Sequence, residues 1–138
     1  MLKVITGSVV LDHGGRPMPK RGSVLVVEVD SGARESLREG LKNDYEVFVA
    51  ESGAQAVQIL NKVPIDTVTL EPWLPGIQGR EVLKQIRDAS TRARIILITG
   101  KRLSIWFDDM VREEIFDYLP KPFDQKDLLR TVGRSVSR

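Results

Sequence analysis

The chain has 138 residues, 41% of them apolar, enough for one domain with its own core, and its lack of cysteine and single histidine, His13, exclude disulfides, thiolate chemistry and histidine clusters. No apolar run approaches the roughly 18 residues of a membrane span, and no secretory signal opens the chain, so a cytoplasmic protein without membrane contact is expected. The formal charge of +2 is uneven: residues 1–22 set four basic side chains against Asp12 and residues 130–138 carry three arginines, so the middle is acidic. Nucleic-acid binding calls for a basic face on the folded body, which basic ends do not supply, and nucleic acid is not an expected partner.

Residues 1–22 read as an N-terminal extension punctuated by Gly14, Gly15, Pro17, Pro19 and Gly22. A nearly continuous aliphatic strand over Val24 to Val29 follows, then an amphipathic helix over Ala33 to Leu41. The alternation continues with a strand at Glu46 to Ala50, a helix at Ala54 to Asn61, a strand at Thr67 to Leu70 and a helix at Arg80 to Asp88. It ends with a strand at Ile95 to Thr99, a helix at Ile105 to Arg112, a strand at Asp117 to Leu119 and a helix at Gln125 to Val132. Residues 133–138 read as a C-terminal tail. Asp30 or Ser31, Ser52 and Asp124 stand where a short side chain can cap a helix. Five strands alternating with helices predict an α/β fold: a doubly wound, five-stranded parallel sheet with helices on both faces.

In such a sheet, ligands bind beyond the carboxyl ends of the strands. The residues there are Glu28 and Asp30, Glu71, Thr99 and Lys121: three acids, a hydroxyl and an amine.

The segments V-L-V-V-E-V-D, D-T-V-T-L-E-P-W-L-P-G-I-Q-G, I-L-I-T-G and D-Y-L-P-K-P-F, in this order and spacing, resemble the response-regulator receiver domain over residues 23–132. The resemblance implies a flavodoxin-like, CheY-like fold and a signalling module rather than an enzyme. In that family an aspartate ending the third strand accepts a phosphoryl group, two acids after the first strand help hold Mg²⁺, and a Ser/Thr and a lysine contact the phosphoryl oxygens. Thr99 and Lys121 match the last two positions, and Lys121-Pro122 resembles the family's cis peptide.

The acids depart from the pattern. Glu71 stands at the phosphoacceptor position, where one extra methylene displaces the carboxylate by about 1.5 Å. Val29 replaces a metal-binding acid with a hydrocarbon, leaving Glu28, Glu71 and the Trp73 carbonyl as vestiges of a Mg²⁺ site whose ion demands near-octahedral oxygen ligands. Asp30 is a candidate displaced acid. No cofactor is therefore expected, and the reading is a phosphorylation-independent receiver acting through protein contacts. Glu71 is either a fixed mimic of the phosphorylated state or an ion-pair partner of Lys121. The alternative is a working phosphoacceptor served by a histidine kinase and a residual Mg²⁺ site.

Tyr118 matches the family's switch aromatic. Trp106 and Phe107 are adjacent on the fourth predicted helix, so both cannot face the core. The resemblance places contact with a protein partner, an output domain or a second copy on that helix, the fifth predicted strand and the fifth predicted helix.

Overall fold

The computed structural model describes residues 4–6, 9–11, 13–17, 19–100, 112 and 114–136, with only the backbone given for 4–6, 9 and 10. The extension contains a two-stranded antiparallel sheet of β1 (Val4–Thr6) and β2 (Val9–Leu11), with Leu11 bridged to Pro17. These strands are too short to show a period in the sequence.

The main sheet is parallel and has the order β4-β3-β5-β6-β7. Its strands are β3 (Ser23–Val27), β4 (Glu46–Ala50), β5 (Thr67–Leu70), β6 (Arg94–Thr99) and β7 (Asp117–Pro120). The helices are α1 (Ser31–Leu41), α2 (Gly53–Lys62), α3 (Gly79–Ala89) and α4 (Gln125–Val136). The chain leaves β3 for β4 on one side and crosses to β5 on the other, so a crevice opens between the ends of β3 and β5.

Alternation along the buried strands divides the core. Leu25, Val27, Val68, Leu70, Ile95 and Leu97 face α2 and α3, packing on Ala56, Leu60, Val82 and Ile86. Val24, Val26, Ile96, Ile98 and Leu119 face α1 and α4, where Leu37, Leu41, Leu128 and Val132 cover them.

The expected caps are present. Asp30 accepts from the Ala33 amide at 2.8 Å, Ser52 from Gln55 at 3.2 Å, and Asp124 from Asp127 at 2.8 Å. The last helix corrects the sequence reading, running through Val136 rather than ending at Val132 before a tail. Gly133 fits where a Cβ would meet the Arg21 guanidinium at 3.4 Å, and Ser135 is buried with its hydroxyl 2.7 Å from that of Thr67. The first strand ends at Val27 rather than Val29, releasing Glu28 and Val29 into the loop. The predicted helix over 105–112, with Trp106 and Phe107, lies outside the described residues apart from Arg112.

Candidate functional site

Side-chain alternation assembles the site. Glu28 follows Val24 and Val26 at a spacing of two, Glu71 follows Thr67 and Thr69, and Lys121 follows Leu119, so all three continue the rows that face α1 and α4. Register brings the rows level, since Val27 pairs with Leu70 and the Glu71 amide donates to the Val27 carbonyl at 3.0 Å. The Lys121 amide donates to the Thr99 carbonyl at 3.0 Å, tying β7's end to β6, and the Lys121-Pro122 peptide is cis, as the motif implies.

The Lys121 ammonium lies between the two glutamates, donating to Glu28 Oε1 at 2.5 Å and to Glu71 Oε1 at 3.3 Å. Each carboxylate also accepts from the backbone: Glu28 Oε2 from the Asp30 amide at 3.2 Å and Glu71 Oε2 from the Trp73 amide at 3.4 Å. Glu28 is the more deeply buried acid, with its side chain 3% exposed against 11% for Glu71. Burial is the largest single influence on Lys121 and works against its charge, but the hydrogen bond and charge of Glu28, with those of Glu71, outweigh it and raise the lysine above its ordinary pKa. Two carboxylates and one ammonium leave the cluster with one net negative charge.

The remaining expected site residues lie around this triad. Thr99 is fully buried at the end of β6. Asp30 turns its carboxylate to the first turn of α1, a capping role, while its backbone contributes the hydrogen bond to Glu28. Val29 is 41% exposed. Pro72 and Leu74 are buried on either side of the half-buried Trp73, which makes the loop after Glu71 bulky. Tyr118 is exposed, on the strand that leads to Lys121. Among the described residues, no group of three or more histidine or acidic side chains is placed to hold a metal ion.

One participant escaped the sequence reading. Arg34, in the first turn of α1, donates to the carbonyls of Glu28 at 2.9 Å and Val29 at 3.3 Å and faces Glu51 at 3.6 Å, fixing the loop that carries Glu28. Its only sequence signal was an arginine four residues after Asp30, a common helix-surface spacing.

The geometry agrees with what the chain resembles. The family model for the response regulator receiver domain matches residues 24–133. The chain is 35% identical over 129 residues to the response regulator MprA of Mycobacterium sp. (strain KMS), covering 88% of this chain and 52% of the relative. It thus spans about half the length of the curated relatives it matches. Among solved structures, it superposes on the signal receiver domain of an HD domain-containing protein from Pseudomonas fluorescens Pf-5 with a TM-score of 0.77 and 26% identity, covering 86% and 89% of the two chains. It also superposes on a CheY-like response regulator receiver domain protein from Methanospirillum hungatei JF-1 with a TM-score of 0.74 and 20% identity, covering 83% and 93%, which bears on fold alone. With a matching family model over most of its length, the chain belongs to the response regulator receiver domain family.

Proposed function

We propose that this receiver signals through protein contacts without being phosphorylated and without Mg²⁺. The observation that carries the reading is the Lys121 ammonium held between Glu28 and Glu71, with the shorter bond to Glu28. A hard divalent ion needs several oxygens at about 2.0 to 2.1 Å, and here two carboxylates already share a monovalent cation while Val29 offers no ligand where a third acid would stand. Glu71 occupies the phosphoacceptor's place with a longer arm, misaligned for in-line transfer.

The cluster acts as an internal ion triad that fixes the ends of β3, β5 and β7 relative to one another. Its output is a surface rather than a reaction, and the module is not an enzyme. The partner is an output domain, another signalling protein or a second copy, received on the face formed by β7 and α4. The exposed Tyr118 belongs to that face. The cytoplasm suits such a role, and among the described residues no helix is long and apolar enough to cross a membrane. Titration calorimetry with Mg²⁺ tests the reading. No saturable heat is expected, and one-to-one binding abolished by Glu71→Gln would contradict it.

A further inference from the structure

At the opposite pole of the sheet, where the strands begin, lies a concavity of about 500 Å³ bounded by Arg87, Thr91, Arg92, Arg94, Glu114 and Phe116, among others. Arg94 opens β6 five residues before Thr99, which puts this hollow roughly 17 Å along the strand from the acidic triad. Nothing in the proposed signalling role uses it.

The charges here are unevenly matched. Arg87 is committed: Nη1 donates to the carbonyls of Ser90, Thr91 and Ala93 at 3.3, 3.2 and 2.7 Å, and Nη2 to that of Glu114 at 2.9 Å. Its Nε stands 3.2 Å from the Glu114 carboxylate, so the acid that lines the hollow is neutralised by an arginine that closes off the end of α3. Arg92 and Arg94 are exposed, and among the described residues neither has a carboxylate within ion-pair distance. Arg94 lies with its guanidinium carbon 5.1 Å from the centre of the Phe116 ring, which holds its plane at the rim.

We propose that this hollow binds a small diphosphate-bearing anion through Arg92 and Arg94. Planar guanidinium groups meet phosphate oxygens two at a time, and two of them a residue apart suit an anion with two adjacent charged groups better than one with a single charge. The stacked Arg94 is already oriented, which removes part of the ordering cost of binding. The Thr91 hydroxyl, at the same rim, supplies a further donor. A concavity of this size takes a small molecule, and three arginines against one glutamate leave its described lining residues net positive.

The test is NMR titration of the whole, ¹⁵N-labelled chain with pyrophosphate, with orthophosphate and an acidic peptide in parallel. Pyrophosphate should bind saturably and one to one, moving the amides of residues 91–94 and 116 and leaving those of Glu28, Glu71 and Lys121 in place. Arg92→Gln and Arg94→Gln, both at exposed positions, should each weaken it by about tenfold or more with an unchanged circular dichroism spectrum. Unsaturable shifts spread over every surface arginine would overturn the proposal, as would an undiminished affinity in the double variant. Tighter binding of the acidic peptide than of pyrophosphate would overturn it too, by making the hollow a protein contact.

Discussion

Lys121 donates to Glu28 at 2.5 Å, and only at 3.3 Å to Glu71, the acid at the position of most chemical interest. The lysine's main anchor is therefore the more buried acid, and Glu71 is the outer, more loosely held member of the triad.

That ranking predicts unequal costs for two otherwise identical substitutions. Glu28→Gln leaves the partly buried ammonium with its weaker contact and should destabilise the fold by roughly 2 to 3 kcal/mol, between the values for exposed and buried pairs. Glu71→Gln should cost about 1 kcal/mol or less while changing the surface presented to a partner. Urea unfolding of both variants checks the order; equal losses, or a larger loss for Glu71→Gln, would show that Glu71 is the true anchor.

Alkaline unfolding tests the same cluster. Lys121 has a pKa raised in the folded state, so its contribution to stability is fully present below the ordinary lysine pKa and disappears as pH rises through the raised value. Chemical denaturation from neutral to strongly alkaline pH should show a loss that sets in at the ordinary lysine pKa and is complete above the raised value, and that Lys121→Met no longer shows. Persistence of the full loss in that variant would assign it to other lysines or tyrosines.

The face of β5 beneath α4 offers a prediction with two signs. The Thr67 hydroxyl pairs with that of Ser135 at 2.7 Å, whereas the Thr69 hydroxyl, one step along the same row, is buried with no hydrogen-bond partner among the described residues. Thr67→Val should cost about 1 kcal/mol by breaking a buried bond, and Thr69→Val should raise stability by a similar amount by removing an unsatisfied group. Thermal melts of the two variants moving in the same direction would contradict this.

The fold was legible in the sequence because both the aliphatic runs and the cap residues announce themselves locally. Val24 to Val27 and Ile95 to Ile98 are apolar on both faces, as strands covered on both sides must be, and Asp30, Ser52 and Asp124 sit where short acceptors cap helices. The end of α4 was not legible, since Gly133 and Ser135 are poor local signals and only the distant partners Arg21, Tyr45 and Thr67 make them fit. The gathering of Glu28, Glu71 and Lys121 could be read from strand ends and motif spacing. Which acid the lysine prefers could not, because it depends on depths and distances set by the packed sheet, and Arg34's grip on the Glu28 loop is a tertiary contact of the same kind.

The central claim is that this receiver works unphosphorylated, and intact-mass spectrometry after incubation with a small-molecule phosphodonor and excess Mg²⁺ tests it most directly. The natural chain should gain no phosphoryl mass, while the Val29→Asp, Glu71→Asp double variant, which returns an acid to an exposed position and shortens the other, should become labelled. A natural chain that is labelled, with the label lost in Glu71→Gln, would contradict the account and make Glu71 a working phosphoacceptor.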